Sequence, residues 1–213
     1  MLKRIILTRH GQSLEDIDPT LHNINNGKIA ELTDIGKEQA NQLGLNLKNM
    51  IPQAENFNVY VSPALRAQET WAILSTHITP SQNAVTDSRI RNLNWGNITL
   101  ENRATVEAQR YEAGVLNFTF PEGDHTPDYV SSLNDFIESV VAPSKVHDSE
   151  VSTLLFITHG FALRVILKYL LALSEKDFQW LRNPPNCYTI ELVYDPVTDS
   201  FSSEEPLLRM DPI

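Results

Sequence analysis

Ile5-Ile6-Leu7-Thr8-Arg9-His10-Gly11-Gln12-Ser13 is a short apolar run that stops at a glycine, with arginine and histidine just before the stop. Branched apolar residues in such a run read as a buried strand, and the glycine ends it. Arg9 and His10 then sit where a strand meets a loop, at the mouth of an α/β sheet. A second copy of the pattern, Leu154-Leu155-Phe156-Ile157-Thr158-His159-Gly160, lies near the other end of the chain, with a helix after it. Two strand-end histidines, each followed by glycine, predict one pocket assembled from distant segments.

The 213 residues can bury a substantial core, and one domain over 1–213 is the expectation. Apolar content of 41% and charged content of 21% are those of a soluble globular protein. A formal net charge of −10 argues against a nucleic-acid surface or an anionic membrane as partner. Any anion must therefore meet a local cluster of cations, and Arg9, His10, Arg66 and His159 can form one. The lone Cys187 excludes an internal disulfide framework and reads as a small buried hydrophobe. The first apolar run is too short for a signal peptide, and the segment from Phe161 to Leu173 is broken by Arg164 and Lys168. A cytoplasmic protein is the default expectation; the sequence leaves the oligomeric state open.

Taken in order, Gln12 to Lys28 reads as a polar loop with a turn at Asn25-Asn26-Gly27. Leu32-Thr33-Asp34-Ile35-Gly36 starts a helix, with Thr33 or Asp34 as its N-cap and Ala40, Leu43, Leu47 and Met50 on one face. Asn58 to Ser62 predicts a strand, and Ser62-Pro63 a helix start that puts Arg66 in the first turn. Free N–H groups and the positive helix end favour an anion there. Val85 to Arg91 predicts another strand. An irregular cap at about 95–145 follows, with a helix near Thr105 to Gly114, a loop at Phe120-Pro121-Glu122-Gly123-Asp124-His125, and a helix from Pro127 capped by Thr126. The helix after Gly160 is expected to pack Phe161, Val165, Ile166, Tyr169 and Leu170 inward. Ser174 caps a short helix, Tyr188 to Tyr194 forms the last strand, and the tail carries no signal.

Phosphoryl transfer to histidine needs an imidazole nitrogen in line with phosphorus, cations on the phosphate oxygens, and an acid for the leaving oxygen. Arg9, His10, Arg66 and His159 meet the first two needs. There is no His-x-x-x-His or Cys-x-x-Cys spacing, no P-loop and no arginine at the required distance after Cys187. The residues point to a phosphate-handling enzyme with His10 as nucleophile, no cofactor and no metal ligands.

Four pieces in order resemble the histidine phosphatase superfamily, the phosphoglycerate-mutase-like proteins: Arg9-His10-Gly11-Gln12-Ser13, Leu32-Thr33-Asp34-Ile35-Gly36 with Gln39-Ala40, Ser62-Pro63-Ala64-Leu65-Arg66-Ala67-Gln68-Glu69-Thr70, and Thr158-His159-Gly160. Arg89-Ile90-Arg91 through Trp95-Gly96-Asn97, Phe120 to Gly123 and Asn183-Pro184 are most similar to the plant and fungal broad-range acid phosphatase branch. The resemblance implies a three-layer αβα sandwich with a mostly parallel central sheet. It also implies a small phosphorylated substrate, phosphate or other oxyanion, held by Arg9, Arg66, His159, Ser13 and Gly160, with His10 phosphorylated in turnover.

The departures concern the acid. Where that branch has its proton-donating glutamate this chain has Asn92, and where the family has asparagine six residues after the nucleophile it has Asp16. An exchange of amide and carboxyl predicts Asp16 as the acid, its pKa raised by the neighbouring phosphate. Asp124 and His125 are the rivals, where the family loop reads Glu-Ser. A phosphatase hydrolysing monoesters is the leading expectation. A phosphate-binding pseudo-phosphatase that has lost its acid and a mutase-type phosphotransferase are the alternatives.

Overall fold

The computed structural model describes residues 1–18, 21, 29–146, 149–204 and 207–208. The turn expected at Asn25-Asn26-Gly27 lies outside the described residues. Six strands form one sheet in the order β3 (Val85–Thr86), β2 (Phe57–Val61), β4 (Thr153–Thr158), β1 (Arg4–Arg9), β5 (Thr189–Asp195) and β6 (Ser200–Ser202). The first four run parallel, and β5 and β6 are antiparallel to their neighbours.

Period-two alternation divides the core between the two faces. Ile6, Val59, Val61, Leu155 and Ile157 pack with Leu43 and Leu47 of α2 (Asp34–Met50) and Ala67 and Leu74 of α3 (Leu65–Leu74). Ile5, Leu7, Leu154 and Phe156 face the other way, onto Leu133, Phe136 and Ile137 of α5 (Thr126–Lys145) and Leu163, Val165 and Ile166 of α6 (Gly160–Leu170). This is the expected αβα sandwich. Strands β1 and β4 are buried on both faces, which is why they read as continuous apolar runs and not as alternating ones.

The site depends on one register. β1 and β4 pair so that Arg9 lies opposite Thr158, which brings the two His-Gly ends side by side. The loop after β1 lies hard against the start of α2: a Cβ on Gly36 would meet the Gln12 carbonyl oxygen at 1.9 Å, so only glycine fits. Thr33 is the N-cap of α2, accepting from the Gly36 N–H at 3.0 Å.

Several local expectations are corrected. The polar segment after Gly11 contains a one-turn helix, α1 (Leu14–Ile17), N-capped by Ser13. Helix α3 begins at Leu65 with Ala64 as N-cap, and the Ser62 hydroxyl accepts from the Ala64 N–H at 3.3 Å while also meeting His159. Strand β3 is only two residues long and gives way to a 3-10 turn at Ser88–Ile90, where Asp87 accepts from the Arg89 N–H. His125, not Thr126, is the N-cap of α5. Tyr169 is half-exposed and donates to Glu138. The tail adds β6, pinned where Tyr194 stacks on Phe201. Helix α5 packs on the sheet face, so the part of the chain over the strand ends is the segment before it, with α4 (Arg103–Ala113) at its centre.

Candidate active site

A cavity of about 610 Å³ opens over the C-terminal ends of β1, β2 and β4. Arg9, His10, Ser13, Asp16, Arg66, Asn92, His159 and Gly160 all line it. The pocket expected from two separated strand ends is therefore a single one.

His10 is 3% exposed and fixed from both sides. Its Nδ1 lies 2.8 Å from the Gly11 carbonyl oxygen, which can only accept, so the ring proton is on Nδ1. Its Nε2 accepts from Arg66 Nε at 3.0 Å. Burial, then the Arg66 and Arg9 charges, hold the imidazole well below its ordinary value of 6.5. At neutral pH His10 Nε2 is therefore unprotonated, the state a nucleophile needs, with its lone pair on the Arg66 Nε–H.

Arg66 is 2% exposed and links three groups. Besides its bond to His10, Nη2 lies 3.2 Å from His159 Nδ1, and Nη1 lies 3.1 Å from Glu15 Oε2. Because guanidinium only donates, His159 accepts at Nδ1 and gives its Nε2 proton to Ser62 Oγ, 2.7 Å away. The two imidazoles are 5.1 Å apart between ring centroids. Gly160 follows at the start of α6, where a Cβ would press on the Asn183 side chain at 2.8 Å.

Arg9 donates to the Pro184 carbonyl oxygen at 3.1 Å and pairs with Asp16 Oδ1. Asp16 Oδ2 accepts from the Ser13 N–H at 2.8 Å, the Ser13 hydroxyl at 2.9 Å and Asn186 Nδ2 at 3.3 Å. Burial pushes the Asp16 carboxyl up, but Arg9, His10 and the Ser13 bonds outweigh it, and its pKa lies below the ordinary value. The rise expected from the sequence is one that a bound phosphate would cause; without it the neighbouring cations and donors set the value. Ser13 spends its hydroxyl on this carboxylate.

The two rival acids do not line the cavity. Asp124 is held by Arg91 at 2.6 and 3.0 Å and accepts from the Asn94 N–H at 2.7 Å, which ties the loop together. His125 is exposed and pairs with Asp128 at 3.1 Å. Of the arginines on α4, Arg110 is buried between the rings of Trp95 and Phe161, 4.9 Å from each centroid. Arg103 lines the cavity, with Arg9 and Arg66. Cys187 is half-buried with its thiol pushed up to about 12 by burial, as an inert packing residue.

Sequence reasoning did not single out Glu15, and it named Ser62, Trp95, Phe161 and Asn183 without placing them at the site. Glu15 was hidden because the one turn of helix that aims it is set by the Ser13–Asp16 capping box, a pattern readable as Ser-x-x-Asp. The others act through contacts that no local pattern encodes.

Residues 5–203 match the family described as the histidine phosphatase superfamily, branch 1. The chain is 29% identical over 201 residues to the phosphoglycerate mutase-like protein AT74H of Arabidopsis thaliana, covering 87% of this chain and 72% of that one. It is 29% identical over 175 residues to the broad-specificity phosphatase YOR283W of Saccharomyces cerevisiae, covering 78% and 70%. The solved structure of a mycobacterial glucosyl-3-phosphoglycerate phosphatase superposes with a TM-score of 0.72 at 16% identity, covering 97% of this chain and 99% of that one, a likeness of fold. This chain belongs to the histidine phosphatase superfamily, branch 1.

Proposed function

We propose that the protein hydrolyses phosphomonoesters through a phosphohistidine on His10, without a metal. The observation that carries this reading is the locked imidazole: Nδ1–H on the Gly11 carbonyl, and an unprotonated Nε2 beside Arg66. A phosphoryl group in line with that nitrogen would take Arg66 and Arg9 as charge partners, and the planar fork of Arg66 suits two of its oxygens. His159, oriented by Ser62, would add a third contact. The broad-specificity phosphatase relative and the family support phosphatase chemistry on a small phosphorylated molecule. An acidic chain with a single unreactive cysteine fits a cytoplasmic enzyme.

Asp16 is better placed to hold Arg9 than to donate a proton, since both its oxygens face donors. A phosphate-binding protein without turnover is the second reading, favoured by Asn92 on the cavity wall where a proton donor is expected. A mutase-type phosphotransferase would need the same phosphohistidine shielded from water. Hydrolysis of para-nitrophenyl phosphate with chelator present, in wild type and His10→Ala, tests the proposal. Activity that survives chelator and disappears with His10→Ala supports it. Vanadate binding with no hydrolysis at any pH supports the binding protein.

A further inference from the structure

We infer that Glu15 is the general acid, and then the general base, of this site. The inference rests on the phosphohistidine reading above and names the missing proton donor within it. Among the described residues, three carboxylates line the cavity: Glu15, Asp16 and Glu101. Asp16 has both oxygens turned toward donors on Arg9, Ser13 and Asn186, so a proton on either oxygen would break a bond. Glu101 sits on the exposed outer segment over the strand ends.

Glu15 is different. Its side chain is 11% exposed, and Oε2 lies 3.1 Å from Arg66 Nη1. The same guanidinium donates to His10 Nε2 at 3.0 Å, so a single planar group separates the carboxyl from the nucleophilic nitrogen. A phosphoryl group bound between His10 and Arg66 would draw those donors to its own oxygens. Glu15 would then face a dianion in place of its cation, and like charge favours its protonated form. The proton would be taken up with the substrate, where it is needed. Asn92 has no acidic proton to supply.

In the first step His10 Nε2 attacks phosphorus, the bond from phosphorus to the leaving oxygen breaks, and that oxygen takes the Glu15 proton. The products are the free alcohol, N-phosphohistidine and Glu15 carboxylate. In the second step water attacks phosphorus, Glu15 accepts a proton from that water, and the phosphorus–nitrogen bond breaks. Inorganic phosphate and neutral His10 are released with Glu15 again protonated.

The test is Glu15→Gln, which keeps an acceptor for Arg66 but has no acid proton, assayed on glycerol phosphate and on 2,4-dinitrophenyl phosphate. A general acid contributes about 10²-fold or more where the leaving group is poor and far less where it is good. We expect kcat/KM to fall by at least about 10² on the alkyl ester and by less than about tenfold on the aryl ester, with the alkaline limb of the pH profile lost. Adding Asn92→Glu to Glu15→Gln should recover part of the alkyl activity. Equal losses on both esters, or an unchanged alkyl rate, would overturn the role. Vanadate binding by Glu15→Gln checks that the pocket is intact. His10→Ala in the same assays separates the two failures: hydrolysis that survives it overturns the phosphohistidine reading itself, whereas hydrolysis that it abolishes, with leaving-group-independent loss in Glu15→Gln, overturns only the role of Glu15.

Discussion

The floor of the cavity and the segment over it are built by different physics. On the floor, His10, Arg66 and His159 are 2–3% exposed, and one guanidinium bonds to both imidazoles. Each is held by backbone at a strand end, or by a helix that starts directly after one. Above it, Leu100 is 69% exposed, and the segment is pinned at a distance from the chemistry. Arg91 grips Asp124, and Arg110 is held between aromatic rings. The floor spends its burial on electrostatic preorganisation, which is costly to change. The upper wall spends its contacts on holding a shape, so its cavity-facing residues are comparatively free to vary. On the proposed reading, chemistry falls to the first region and substrate selection to the second.

The largest break in this comparison should come from His10→Ala, which removes the proposed nucleophile. Hydrolysis of para-nitrophenyl phosphate should fall by a factor on the order of 10⁴ or more, with vanadate affinity largely retained. Arg66→Met comes next: losing a buried donor aimed at developing charge costs about 10²–10³ in kcat/KM. A loss below about tenfold would mean that Arg66 serves packing and not the transition state. Ser62→Ala should cost about 1–3 kcal/mol by removing the hydroxyl that meets His159 Nε2, read as a lower kcat.

A pH experiment sharpens the account of the floor. Unfolded His10 takes up its proton near pH 6.5, and folded His10 only well below that. The unfolded chain binds more protons in that window, so stability should decline as pH falls through 6.5 and be level in this respect above it. His10→Ala should flatten the decline in urea titrations. For the same reason the acid limb of kcat/KM should lie below pH 6.5; a limb at or above that value would mean the imidazole is not held neutral. The smallest effect is expected above the floor. Leu100→Ala should change KM for substrates with bulky apolar groups by at most about tenfold and leave kcat near wild type. A large kcat loss there would erase the distinction between the two regions.

The sequence by itself placed Arg9, His10 and His159 at two strand ends and Arg66 in the first turn after a third, and its resemblance to the family implied the sandwich. The placements are local readings: an apolar run stopped by His-Gly, or an arginine in the first turn after a strand. Tertiary structure decided the rest. Asp16 has a lowered pKa because Arg9, from the preceding strand, and Ser13 converge on it, whereas the sequence offered only its proximity to a phosphate. Asp124 and His125 look like acids in the sequence, but Arg91 and Asp128 claim them away from the cavity. Glu15 reaches Arg66 because one turn of helix, fixed by a capping box, folds back over a residue about fifty positions later in the chain. A residue type announces what chemistry it can do. Whether it carries a proton, and what it touches, is a sum over neighbours that only the folded chain brings together.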